Sequence, residues 1–479
     1  MNNRMILYIL GKVLRVTGIL MLLPTYVAAH FREGCLWALL GTALGMMLLG
    51  TLLAWKKPAV STIYAREGFL IVALAWIGIS LGGALPFWLS GEIPSYIDAF
   101  FETVSGFTTT GSSILTDVEA MSRGLLFWRS FTHWIGGMGV LVFVMAIMPL
   151  AGNRSMHILR AESPGPDVGK LVPKMRSNAM ILYGIYIAFT VIEAILLLLG
   201  GMPLFDSLVT TFGTVGTGGF SNRALSIAAY DSAYIDGVVT VFMILCGVNF
   251  NLYYLLLMGR FKQVLKSEEL RWYLGIILLS ALIITIDILP LYGNFGTSFR
   301  YAIFQVASID STTGYATADY NLWPELSKAL LVLLMLLGSC AGSTAGGMKT
   351  SRFILAVKGV RREIKHMLHS RSVSTITLEG KTVREETITS VYLFLLFYFA
   401  ILCGTTLLIS VDGMDFTTNL TASLTTISNI GPGMNVVGPA GNFAGYSWFS
   451  KLLLSFNMLL GRLEIFPLVM LFTPTIWKK

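Results

Sequence analysis

The chain has 479 residues, of which 55% are hydrophobic and 13% charged, and its mean hydropathy is +0.72. Soluble domains carry roughly 25% charged residues, so these values exclude a soluble globular protein and indicate a multi-span membrane protein. The net charge of +8 does not indicate a nucleic-acid partner, because the basic residues fall in alternate connections between apolar runs, which is the pattern of membrane orientation.

Apolar segments run over 5–29, 34–54, 67–90, 125–150, 178–200, 233–258, 272–292, 325–348, 388–410 and 447–472, each close to the length of about 20 residues that crosses a bilayer. The first could pass for a secretory leader ending at Val27, Ala28 and Ala29. Lys12 and Arg15 interrupt it, however, and its removal would spoil the charge alternation of everything downstream, so it reads as a retained span. Lys56, Lys57 and Arg66 follow the second segment, Arg154, Arg160, Lys170, Lys174 and Arg176 the fourth, and Arg260, Lys262, Lys266 and Arg271 the sixth. A stretch from Lys349 through Lys358, Arg361, Arg362 and Lys365 to Arg384 follows the eighth. The intervening connections carry mainly acids, among them Glu92, Asp98, Asp117, Asp206, Asp231, Asp319 and Asp415. Both termini are therefore expected on the cytoplasmic side. Cys35, Cys246, Cys340 and Cys403 have neither metal-ligand nor disulfide-framework spacing.

From the third segment onward a pattern recurs four times: a long span, a short apolar stretch, a Gly/Thr/Ser cluster and another long span. The short stretches are Ile97 to Phe107, Met202 to Phe212, Ser298 to Ile309 and Phe416 to Ile427. The clusters are Thr108-Thr109-Thr110-Gly111-Ser112, Thr217-Gly218-Gly219-Phe220-Ser221, Ser311-Thr312-Thr313-Gly314-Tyr315 and Ser428-Asn429-Ile430-Gly431-Pro432-Gly433. The stretches are too short to span, so each reads as a re-entrant half-helix. Irregular backbone at membrane depth persists only where protein or trapped water satisfies its polar groups, which argues for a shared cavity. Helix C-termini aimed at such a cavity favour a cation, and rings of backbone carbonyls are a known substitute for the hydration shell of potassium. One such cluster alone would more simply be a surface turn or a helix contact; four at matching positions indicate a pore.

These clusters, with the run Trp128-Arg129-Ser130-Phe131-Thr132-His133-Trp134-Ile135-Gly136-Gly137-Met138-Gly139 and the run Gly338 to Lys349, resemble the Trk/Ktr/HKT superfamily of potassium transporters, and most of all its bacterial TrkH-type membrane subunits. The likeness covers essentially the whole chain. It implies an all-α polytopic fold in the bacterial cytoplasmic (inner) membrane, with an N-terminal helix pair (1–60) and four pore repeats at 61–176, 177–265, 266–370 and 371–479. Each repeat would be helix, pore helix with filter loop, helix, around one pore per subunit. The potassium-binding filter implied by the resemblance comprises Thr109, Thr110, Gly111, Thr217, Gly218, Gly219, Thr312, Thr313, Gly314, Asn429, Ile430 and Gly431. Plant relatives that favour sodium place serine at the position of Gly111, so glycine there implies potassium. The adjacent glycines of the second cluster leave its register open by one residue.

Arg462, in the middle of the last apolar segment, is costly at membrane depth unless it faces water or a partner. The resemblance implies a pore position below the filter; the alternative is a buried pair with Glu464 or another acid. The small-residue stretch Gly338 to Gly347 is a poor helix former and is expected to break the eighth segment. By resemblance it is a gating loop comprising Gly338, Gly342, Ser343, Thr344, Gly346, Gly347 and Lys349, with Lys349 either snorkelling to the cytoplasm or paired with an acid. His133 and Arg129 read as orienting groups rather than ligands.

The family implies homodimers, a lipid environment and a separate cytosolic ring of nucleotide-binding RCK domains of the TrkA kind. No nucleotide fingerprint occurs in this chain. The basic connections at Lys170 to Arg176 and Arg361 to Lys365 are either docking surfaces for that ring or solvated topogenic charge. Potassium is expected as the transported ion, with no prosthetic group and no enzymatic activity: His133 has no serine partner at a catalytic spacing. The competing reading is symport of potassium with sodium or protons, for which Glu193 and Asp287 are the candidate membrane acids.

Overall fold

Backbone amides and carbonyls in hydrocarbon must be paired within their own segment, so the apolar runs fold as helices. A computed structural model of the chain describes residues 2–56, 58, 65–137, 139, 175–369 and 374–474. Among these residues the regular structure is helical apart from one small hairpin, β1 (Thr377–Leu378) paired with β2 (Lys381–Thr382).

At the N-terminus α1 (Asn3–Leu20), continued by α2 (Leu22–His30), packs on α3 (Leu36–Leu53). A Cβ on Gly11 would lie 2.6 Å from the Gly50 carbonyl oxygen, and one on Gly50 would lie 2.5 Å from that of Gly11. The two backbones therefore touch, the close small-residue crossing by which helices associate in lipid.

Four groups of helices follow in chain order. The first is α4 (Ala65–Leu89), α5 (Tyr96–Phe107) and α6 (Arg123–Gly137). The second is α7 (Met175–Leu199), α8 (Leu204–Val215), α9 (Ala233–Gly247) and α10 (Phe250–Leu257). After α11 (Phe261–Leu265) come α12 (Glu268–Tyr292), α13 (Phe295–Asp310), α14 (Glu325–Leu337) and α15 (Thr350–Leu368). The last unit is α16 (Glu385–Ile409), α17 (Phe416–Ser428), α18 (Trp448–Arg462) and α19 (Phe466–Met470). The short helices α5, α8, α13 and α17 form the buried centre, and α17 buries mostly hydroxyl and amide side chains from Thr418 to Ser428. The long helices instead expose leucines and isoleucines such as Leu278, Leu279, Ile286 and Leu396. A polar interior with an apolar exterior is the arrangement expected around an ion path in lipid.

Six helices among the described residues are long and apolar enough to span singly, and up to seven if a bent pair counts as one, against the ten expected from the sequence. Two of the expected spans are interrupted where the sequence reading had none. The segment 233–258 breaks between α9 and α10, which meet at 94°. The freed backbone groups there are satisfied by the stretch after α14: Cys340 N donates to Gly247 O at 3.1 Å, and Phe250 N to Gly342 O at 3.1 Å. The segment 447–472 breaks after Arg462, where Glu464 (φ 56) and Ile465 (φ 64) turn left-handed, so Arg462 ends a helix rather than sitting in the middle of one. The break expected after α14 is present, and Gly338 (φ 68) ends that helix. The second half of the segment 125–150, Met138, Lys57, and the basic residues Arg154, Arg160, Lys170 and Lys174 lie outside the described residues, as do the side chains of Arg66 and Arg176.

Candidate functional site

Each short helix ends in the same succession of backbone states. Thr109 (φ 55), Thr217 (φ 54), Thr312 (φ 56) and Asn429 (φ 56) are left-handed. The residue after each returns its N–H to the helix: Thr110 to Ser105 O (2.9 Å), Gly218 to Gly213 O (2.7 Å), Thr313 to Ser308 O (2.9 Å) and Ile430 to Thr425 O (2.9 Å). This is the Schellman way of closing a helix. A glycine with positive φ follows in every case: Gly111 (φ 84), Gly219 (φ 76), Gly314 (φ 85) and Gly431 (φ 99). The open register of the second loop is thereby resolved, with Gly219 standing where Gly111 stands in the first.

The four loops close into a ring in chain order. A Cβ on Gly111 would lie 2.1 Å from Gly218 O, one on Gly219 1.9 Å from Thr313 O, and one on Gly314 2.1 Å from Ile430 O. One on Gly431 would lie 2.8 Å from Thr110 O, which returns the contact to the first loop. The carbonyl preceding each glycine thus abuts the glycine of the previous loop, and no side chain fits between them. All the filter residues expected from the sequence are brought together here. A cleft opens over the ring, lined by Gly111, Gly219, Gly314 and Gly431 among others. Four helix C-termini meet at this point, each carrying about half a negative charge.

On the opposite face of the ring lies the segment 338–349, irregular throughout, with positive φ at Gly338 (68), Gly342 (73), Gly347 (76) and Lys349 (75). It is pinned from several sides. Gly346 N donates to Thr312 Oγ1 at 2.8 Å and Thr344 Oγ1 to Cys246 O at 3.3 Å, while Ser343 Oγ closes a turn within the segment on Cys340 O at 2.7 Å. Arg462 joins it to the ring, because its Nη1 donates to Thr344 O (2.8 Å) and Thr109 Oγ1 (3.1 Å) while its Nη2 donates to Gly136 O (2.7 Å). Glu464, the first acid considered for Arg462 from the sequence, pairs with Arg352. Lys349 does not snorkel to the cytoplasm: it is buried at 2% exposure and donates to Ala345 O.

Several contributors were not visible in the sequence. Glu269 Oε1 accepts Ala341 N (2.8 Å) and Ser351 N (3.1 Å), tethering both ends of the irregular segment. Glu102 on α5 pairs with Arg129 at 2.6 Å, and Asp98 with Lys451 at 2.7 Å. The available signal was an acid within a short apolar stretch, which demands a partner. His133 does orient its surroundings: Phe220 N donates to its Nε2 at 3.1 Å, so the proton sits on Nδ1, 2.7 Å from Gly106 O, and the imidazole is neutral. Asp287 Oδ2 accepts Ser327 N (3.1 Å) and Ser327 Oγ (2.6 Å) at the start of α14.

The family model for TrkH, described as a cation transport protein, matches residues 40–290 and 291–479. The chain belongs to the TrkH family. It is 36% identical to the Trk system potassium uptake protein TrkH of Salmonella typhimurium and 35% identical to that of Escherichia coli K12, in both cases over 100% of each chain. The crystal structure of the potassium transporter TrkH from Vibrio parahaemolyticus superimposes with a TM-score of 0.90 at 32% identity, again covering 100% of both chains. These likenesses to TrkH proteins extend through the four loops, the irregular segment and the N-terminal pair alike.

Proposed function

We propose that this chain is the membrane subunit of a bacterial Trk potassium uptake system, conducting potassium inward through the four-loop ring. The observation that carries this reading is the closure of the ring, in which each glycine abuts the carbonyl of the next loop and the last returns to the first. An entering ion loses its water, is held by main-chain oxygens of the four loops, and is favoured as a cation by the converging helix ends. Arg462 then sets a positive barrier below the filter, and the segment 338–349 is the gate that must yield before the ion leaves. Around this path the four repeats and the N-terminal pair occupy the inner membrane with both termini cytoplasmic, the subunits pair as homodimers, and a cytosolic RCK-domain ring drives the gate.

Coupling of potassium to protons or sodium is the second reading, favoured by Glu193, which is fully buried on α7. The deciding experiment is rescue of a potassium-uptake-deficient cell at limiting potassium, with and without a co-expressed RCK partner. Growth restored by the chain and increased by the partner is the expected result; no uptake in either case overturns the proposal. Reversal potentials that follow the potassium gradient alone select conduction, whereas a shift with the proton or sodium gradient selects symport.

A further inference from the structure

The ties that join neighbouring filter loops are not chemically equal. From the second loop to the third, Tyr315 Oη donates to Phe220 O at 3.2 Å and to Thr210 O at 3.0 Å. From the third to the fourth, Tyr320 Oη donates to Gly433 O at 3.0 Å, and from the fourth to the first, Ser112 Oγ donates to Gly431 O at 3.1 Å. All of these are neutral groups. The tie from the first loop to the second is ionic. Glu102, with its side chain at 0% exposure, accepts Ser113 Oγ (2.9 Å) on Oε1 and Ile114 N (2.9 Å) on Oε2, fixing the strand that leaves the first filter loop. Arg129, at 4% exposure, donates through Nε to Glu102 Oε1 at 2.6 Å and through Nη1 to Ser221 O at 3.0 Å. Its guanidinium carbon stands 3.5 Å from the centre of the Phe220 ring. One planar cation thus grips the exits of both loops, and one turn along α6 His133 grips Gly106 O and Phe220 N.

We propose that Arg129, held by Glu102, is a specificity-determining positioning residue: it locks the first and second filter loops together as one unit and so sets the width of the gap an ion must fit. The inference rests on the potassium-conducting reading above and adds the part that fixes selectivity. Gly111 and Gly219 permit the loops to approach, but permission alone leaves the separation free to breathe, and a breathing ring accepts a smaller ion as readily as a larger one. A bidentate, stacked guanidinium removes that freedom as a lysine cannot, because an ammonium has neither the fork nor the flat face. Arg129 also borders the cleft over the ring, while Glu102 balances its charge from within the protein.

The test is the ratio of potassium to sodium permeability, from reversal potentials of the full chain in proteoliposomes, for the parent, Arg129→Lys and Phe220→Leu. Arg129→Lys keeps the charge, and Phe220→Leu keeps an apolar side chain while removing the stacking surface, so the second variant serves if the first does not fold. The expected result is a ratio lowered by about tenfold in Arg129→Lys and severalfold in Phe220→Leu, the scale of losing one or two charge-assisted contacts, with total cation flux retained. A merely structural role would lower flux and leave the ratio alone. Should both variants match a selective parent, or Phe220→Leu alone where Arg129→Lys does not fold, this inference is overturned while the transport reading survives. A parent that discriminates no ions overturns both.

Discussion

Arg462 Nη1 donates to the Thr344 carbonyl at 2.8 Å, and the same nitrogen donates to the Thr109 hydroxyl at 3.1 Å, so the segment under the ring and the first filter loop share one guanidinium. On the proposed reading, a charge placed there raises the barrier to a cation and ties the segment to the ring.

Arg462→Ala is therefore expected to raise ion flux by about tenfold, equivalent to about 1.4 kcal/mol off the barrier, and to weaken its voltage dependence. Arg462→Lys should fall between the two, since it keeps the charge but cannot serve three acceptors in one plane. Flux and current–voltage curves in proteoliposomes check this. An alanine variant identical to the parent in both would remove Arg462 from the pore.

The filter glycines allow a test that separates strain from obstruction. Gly219→Ala combines positive φ with a Cβ 1.9 Å from Thr313 O, whereas Gly201→Ala has the same kind of φ (+85) with nothing within 4 Å. Both carry a backbone cost of about 1–2 kcal/mol, but only Gly219→Ala should abolish potassium uptake. Gly111→Ser, with its Cβ 2.1 Å from Gly218 O, is expected to lower the preference for potassium over sodium. Growth at limiting potassium and competition with sodium read out both effects.

The proposed gate predicts a change in the opposite direction. A Cβ on Gly346 would meet Ser428 O at 2.7 Å and the Asn429 Cβ at 2.7 Å, so Gly346→Val wedges the segment away from the third and fourth loops and breaks the bond from Gly346 N to Thr312 Oγ1. Basal rubidium flux without any cytosolic partner should rise severalfold. Glu269→Ala should act in the same direction by leaving the amides of Ala341 and Ser351 without their acceptor, at about 1–3 kcal/mol each. Unchanged basal flux in both variants would count against a gating role for this segment.

Asp415 supplies a pH signature. It caps the pore helix α17 by accepting Thr418 N at 3.0 Å, and also accepts Asn435 Nδ2 at 2.9 Å. The hydrogen bond from the Thr418 hydroxyl, then the backbone and Asn435 bonds, hold its carboxyl below the usual aspartate value. A depressed carboxyl contributes stability above its unfolded pKa of about 3.9 and loses that contribution as pH falls through the lower folded value. Thermal midpoints measured from pH 6 down to about pH 3 should therefore drop less steeply for Asp415→Asn than for the parent. Parallel curves would show that the cap does not titrate.

Stability of the N-terminal pair depends on contact between two backbones. Gly50→Val puts a branched side chain 2.5 Å from Gly11 O and should force α1 and α3 apart, at about 1–3 kcal/mol for such overpacking. A lower thermal midpoint in detergent with an unchanged potassium-to-sodium ratio is the expected outcome, because this crossing lies outside the ring.

The sequence by itself determined the class of molecule and showed four short apolar stretches, each followed by a Gly/Thr/Ser cluster. Apolar length marks what lies in lipid, and glycine after a short helix marks a backbone state other residues resist; both are local properties that one stretch of chain reveals alone. The register of the second loop needed the backbone angles of Thr217 and Gly219, since two adjacent glycines permit either choice. The tertiary structure decided the pairings. Arg129 could have met any acid, and only folding placed Glu102 from another helix beside it. Glu464 went to Arg352 rather than to Arg462, which turned to carbonyls and a threonine hydroxyl. The bend between α9 and α10 was invisible for the same reason: the groups that satisfy its broken backbone come from residues 340–342, far along the chain, and composition carries no record of which distant partner will arrive.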